Sequence, residues 1–70
     1  MDKVIKKIIS IAETYKASVK LDGNLITINY PILGQGSAIM DKIAELTCDY
    51  DSRVKMSPSE QKLEVEVYNV

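Results

Sequence analysis

The feature that most constrains this chain is a near-repetition at an interval of 35 residues. Val4, Ile5, Ile8, Ile9, Ile11, Ala12 and Tyr15 share one arc of a 3.6-residue helix, while Lys3, Lys6, Lys7, Ser10 and Glu13 fill the opposite arc. Adding 35 to the apolar set gives Ile39, Met40, Ile43, Ala44, Leu46, Thr47 and Tyr50, with Thr47 the single polar exception. Any two amphipathic helices share such a stripe. The other coincidences are more informative: Asp2 maps onto Ser37, both N-cap types, Val19-Lys20 maps onto Val54-Lys55, and a tyrosine ends each helix. The sequence therefore predicts two helix-strand-strand repeats, 2–30 and 37–70, joined by a linker at 31–36.

A chain of 70 residues forms a single domain, 1–70, near the size at which one core is barely sufficient, so self-association is an expected source of further burial. Its 46% apolar content and nine basic against ten acidic residues fit a folded α+β domain and give no preference for a polyanion. The lone Cys48 excludes an internal disulfide. No apolar run approaches the roughly 18 residues of a membrane span. Asp2 and the Lys6-Lys7 pair interrupt any apolar leader, so a cytoplasmic location is expected.

Each helix is followed by a predicted β-hairpin. Ala17–Leu21 and Leu25–Tyr30 meet at Asp22-Gly23-Asn24, a strong turn signal. Arg53–Met56 and Leu63–Val70 are joined by the polar stretch Ser57–Gln61, where Pro58 cannot donate to a ladder. The period of two along a strand turns Leu63, Val65 and Val67 inward, against Glu64, Glu66 and Tyr68. In the first hairpin it turns Ile26 and Ile28 inward, with Thr27 and Asn29 outward. Matching buried faces equates Ile26 with Val65, whereas residue identity equates Leu25 with Leu63; burying Thr27 and Asn29 would be costly, so the buried faces decide the match.

The order α-β-β-α-β-β predicts two helices on one face of a four-stranded antiparallel sheet, a circularly permuted ferredoxin-like sandwich with strand order 3-4-2-1. The expected core is Val4, Ile8, Ile11, Tyr15, Val19, Leu21, Ile26, Ile28, Ile39, Ile43, Leu46, Val54, Met56, Leu63, Val65 and Val67. The open face would then display Lys20, Thr27, Asn29, Arg53, Lys55, Glu64, Glu66 and Tyr68. Tyr68 is its sole aromatic, and Glu64 and Glu66 would repel phosphates beside it, so cross-strand ion pairs or a protein partner suit this face better than bases.

The stretch Ile32-Leu33-Gly34-Gln35-Gly36-Ser37, followed by Met40, Ile43 and Thr47, resembles the loop-and-helix signature of the K-homology RNA-binding domain. The resemblance implies that Gly34, Gln35, Gly36 and Ser37 touch a single-stranded backbone, with Lys42 assisting. Ser37 stands in place of the family's closing glycine, Gln35 brings no positive charge, and Pro31–Leu33 leave little chain for the helix that precedes that loop.

Catalysis finds few reagents. The chain has no histidine, and Cys48 lies beside Asp49 and Asp51, which disfavour a thiolate. Arg53 occupies the next ligand position of a would-be Asp49-x-Asp51 calcium loop. Lys3, Lys6 and Lys7 make one end basic while acid gathers in the second half, and Ile9, Ile32 and Leu33 have no clear place in the core. The expected function is a non-catalytic protein-interaction module, an adaptor or inhibitor, without cofactor, metal or membrane. Its expected partner is another protein, a second copy of itself, or both. The alternative is a single-stranded RNA-binding module that uses the 34–37 loop.

Overall fold

Helix α1 (Asp2–Thr14) opens the chain and is followed by strands β1 (Ser18–Asp22) and β2 (Leu25–Asn29). Helix α2 (Gln35–Leu46), strand β3 (Asp51–Ser57), a 3₁₀ turn (Pro58–Glu60) and strand β4 (Lys62–Tyr68) complete it. The computed structural model describes residues 2–68, and for Asp2 the backbone alone. The four strands form one antiparallel sheet in the order β1-β2-β4-β3. α1 packs on α2 and β1, and α2 on β3 and β4, so both helices cover the same side.

α1 stops for a local reason. Lys16 adopts a left-handed φ of 59°, and the amides of Lys16 and Ala17 donate to Glu13 O at 2.9 Å and Ala12 O at 3.0 Å. These two bonds make a Schellman cap, which satisfies carbonyls the helix would otherwise orphan. The first hairpin turns through Gly23, whose φ of +63° at the first central position is what a type II′ turn asks of a glycine.

The core joins Val4, Ile5, Ile8 and Ala12 of α1 and Ile39 and Ile43 of α2 to Ile26, Ile28, Leu63, Val65 and Val67 of the sheet. Ile26 stands opposite Val65 and Ile28 opposite Leu63, and all four side chains are fully buried. Each contributes about 1.5–3 kcal/mol of burial free energy. Thr27 and Asn29 point the other way, as the match of buried faces requires. Thr47, the polar exception in the second stripe, is buried with its hydroxyl donating to Ile43 O at 2.8 Å, the back-bond that lets threonine sit on an apolar helix face.

Several expectations need correction. Ser37 is not the cap of α2: the helix starts at Gln35 with Gly34 as N-cap and no side-chain cap bond, which shortens the linker. The Asp2 side chain, offered as the cap of α1, lies outside the described residues, as do Asn69 and Val70 at the end of the last predicted strand. Ala17 falls in the α1 cap instead of β1, and β2 ends at Asn29, one residue short of the predicted Tyr30. Leu21 is 50% exposed, because its inward face lies at the sheet edge. Ile11, Tyr15, Val19, Leu46, Val54 and Met56 are only partly buried against the core, whereas Ile5, Ala12, Tyr30 and Thr47 are buried in it.

Tyr30 explains the early start of α2. Its ring is 3% exposed and lies against Gly36, where an added Cβ would stand 2.5 Å from Tyr30 Oη, 2.7 Å from Tyr30 Cζ and 2.9 Å from Met56 Sδ. Only a residue without a Cβ lets the first turn of α2 seat on that ring. Gly36→Ala therefore loses stability: overpacking costs about 1–3 kcal/mol and outweighs the roughly 1 kcal/mol of helix propensity that alanine adds. Chemical denaturation checks this, with Gly34→Ala, where nothing lies within 4 Å of the new Cβ, shifting stability by less than about 0.5 kcal/mol.

Candidate functional site

The side of the sheet away from the helices is built by strand parity. Residues directly opposite in an antiparallel ladder share a face, so the register sorts the outward side chains into rows. One row runs Lys20, Thr27, Glu64, Lys55 across β1, β2, β4 and β3. The next runs Asp22, Leu25, Glu66, Arg53, and a third holds Asn29 beside Lys62 and Ser57. Tyr68 stands opposite Asp51 at the far end of β4.

The centre of this face is a shallow depression of about 300 Å³ lined by Leu25, Arg53, Lys55, Glu64 and Glu66. Four of the eight predicted face residues are thus brought together, two carboxylates on a central strand and two cations on its edge neighbour. Thr27 borders them in the Glu64 row, while Asn29 and Tyr68 lie toward opposite ends of the face. Arg53 stands directly opposite Glu66 and Lys55 opposite Glu64. Among the described residues the salt bridge formed is Lys62 Nζ to Glu60 Oε2 at 3.4 Å, away from this depression. The expected cross-strand ion pairs are therefore in register without being closed. Leu25 was missed as a surface residue. Its alternation with Ile26 and Ile28 carries the signal, since it shares the parity of Thr27 and Asn29.

Tyr68 is coupled to this cluster. Its phenol is held above the ordinary 10.0, chiefly by a hydrogen bond to Glu66, then by partial burial and by the Glu66 charge, with Arg53 opposing. The neutral phenol donates to the carboxylate, and ionisation would set two negative groups side by side.

The glycine loop is arranged differently from a single contact patch. Gly34 is exposed, Gln35 is half-buried with Oε1 unpartnered among the described residues, and Gly36 is buried. Ser37 and Lys42 are exposed on α2, about 140° apart around the helix axis. Lys42 instead lines a second depression of about 360 Å³ between the helices, with Ile11, Glu45 and Leu46. Ile32 and Leu33 stand out from the loop at 60% and 64% exposure.

Cys48 is exposed just beyond α2. Among the described residues no group of three or more acidic or cysteine side chains is gathered as metal ligands would be, and no helix is long and apolar enough to cross a membrane. No protein-family model matches the chain, and no curated protein matches it.

The Tyr68 coupling has a pH signature. Because the folded-state value is raised, its contribution to stability is present below pH 10.0 and is lost as pH rises through the folded value. Glu66→Gln brings the Tyr68 titration, followed by NMR, down toward that ordinary value, whereas removing Arg53 moves it further up.

Proposed function

We propose that this chain is a small interaction module without catalysis, an adaptor or inhibitor, and that it docks another protein on the open face of its sheet. The observation that carries this reading is the central depression, where Glu64 and Glu66 flank apolar Leu25 beside Arg53 and Lys55. Opposite charges held in register but unclosed remain available to complementary charges on a partner, which favours orientation and specificity. A surface with both signs and one aliphatic centre suits a protein better than a phosphate backbone. The absence of histidine from the sequence removes the commonest general base.

The framework we assign is the circularly permuted ferredoxin-like sandwich. Carrying β4 to the front of the chain turns α-β-β-α-β-β into β-α-β-β-α-β, and β4 and β2 are the two central strands. The internal repeat is supported by buried positions 35 apart: Val4 with Ile39, Ile8 with Ile43, and Ala12 with Thr47. Val19 opposite Ile28 and Val54 opposite Val65 then set the second strands of the two hairpins 37 apart, in place of the 39 that matching faces gave.

RNA binding through Gly34, Gln35, Gly36, Ser37 and Lys42 is the weaker reading, because Gly36 is occupied by the Tyr30 contact and Lys42 lies in the helix groove. One affinity experiment separates the two. Protein retained by the wild-type chain after nuclease treatment and lost with Glu64→Lys/Glu66→Lys supports the open face. Salt-sensitive retention of single-stranded RNA that disappears with Ser37→Glu/Lys42→Glu overturns it. These surface changes avoid Gly36, whose replacement would confound binding with folding.

A further inference from the structure

β1 and β3 are the two edges of the sheet, and the backbone groups they leave unpaired follow from the register. Val67 N–H donates to Asn24 O at 3.3 Å and Tyr30 N–H to Gln61 O at 3.0 Å. Even-numbered residues of β2 therefore turn their backbone groups toward β4. These groups alternate from side to side along an antiparallel strand, so those of Leu25, Thr27 and Asn29 serve Asp22, Lys20 and Ser18. Val19 and Leu21 are left with N–H and C=O pointing outward from the edge.

The side chains at this edge are matched to one kind of partner. On the helix side Leu21 is half exposed although it stands opposite fully buried Ile26. Ile9, partly buried, lies about 160° around α1 from Ile11, which borders the groove toward α2; it is on the flank above β1. On the open side Lys20 and Asp22 carry opposite charges on either side of Leu21. Read antiparallel against itself about Leu21, this segment is its own charge complement, the property of an isologous interface.

We propose that β1 is a homodimerisation edge, at which two copies pair antiparallel about a dyad at Leu21 and the sheet continues from one copy into the other. Leu21 meets Leu21 of the second copy on the helix side, through the outward N–H and C=O of both. Lys20 faces Asp22 of the second copy, and Asp22 faces its Lys20. Moving the dyad to Lys20 would set two ammonium groups against each other, which like-charge pairing disfavours. At the other edge, a dyad at Val54 of β3 would set Arg53 against Lys55 twice, the charged blunting that edge strands use against pairing, and a dyad at Ser52 would set Arg53 against Asp51 but bring two serines together on the helix side where β1 brings two leucines. The inference concerns the edge and does not rest on partner docking at the open face.

Charge exchange tests it. Lys20→Asp and Asp22→Lys each set like charges across the dyad, and each weakens self-association about tenfold or more in sedimentation equilibrium, with the folded circular dichroism spectrum retained. An equimolar mixture of the two variants, and the doubly exchanged chain, recover the wild-type dimer. Glu64→Lys/Glu66→Lys leaves that dimer intact, so failure of the edge and failure of the open face read out separately. A wild-type chain that is monomeric at every soluble concentration overturns the proposal. So does a mixture no better associated than its components, or a dimer abolished by the Glu64 and Glu66 changes.

Discussion

The seam between β2 and β4 is the constraint on which the structure depends. Each half of the chain supplies a helix and a hairpin, and an isolated hairpin is marginal in water. The halves become one body because Ile26 and Ile28 meet Leu63 and Val65 across that seam, buried under both helices. Both ends of the seam are closed by side-chain amides. Asn24 Nδ2 donates to Val67 O at 3.2 Å at one end, and Gln61 Nε2 donates to Tyr30 O at 2.9 Å at the other. Gln61 reaches Tyr30 from a left-handed φ of 51° that ends the 3₁₀ turn. The turn after β3 thus also positions the tyrosine on which α2 sits.

What could be read from residues alone was whatever depends on period. The stripes of α1 and α2 follow from spacing, and alternation along β2 and β4 was enough to turn Ile26, Ile28, Leu63, Val65 and Val67 toward the helices. The same parity places Arg53, Lys55, Glu64 and Glu66 on the outer face, and it also turns Leu25 outward, a position absent from the expected face. What period could not supply is where a helix begins against its neighbour, or how far a sheet's cover extends. Ser37 has the chemistry of an N-cap, yet Gly36 and Tyr30 together admit α2 three residues sooner, with Gly34 as its cap. Leu21 has the parity of a core residue but occupies an edge strand, where one flank has no neighbour. The Lys16 cap depends on a non-glycine residue in the left-handed region, and composition gives no hint of it.

The glycine-containing loop shows how one short pattern can serve packing or recognition. Gly34 and Gly36 are two residues apart, yet a Cβ on the first would meet open space and on the second a tyrosine ring. A motif read as backbone flexibility for a ligand is, at its second glycine, a packing requirement for the helix. Tyr30 Oη accepts a cost in exchange: it is buried without a hydrogen-bond partner among the described residues, a state that forfeits about 1–3 kcal/mol for a desolvated group. The aromatic ring recovers more than this by filling the space beneath α2, since burying so large a side chain is among the larger single terms in a small core.

One-sided layering also determines where contact with other molecules can be made. With both helices on the same side, no element among the described residues covers the opposite face, and its side chains are polar or charged apart from Leu25. Charge there is distributed unevenly between strands: β4 carries the carboxylates in the middle, and β3 carries the cations at one edge. An arriving strand at the β3 edge meets Arg53 and Lys55 together, whereas at β1 it meets Lys20 and Asp22 with a leucine between. Both edges present outward backbone groups, on a longer strand at β3 than at β1, and they differ in the side chains beside them. Along Arg53-Val54-Lys55 like charge disfavours an antiparallel copy of the same stretch, whereas Lys20-Leu21-Asp22 is the charge complement of its own.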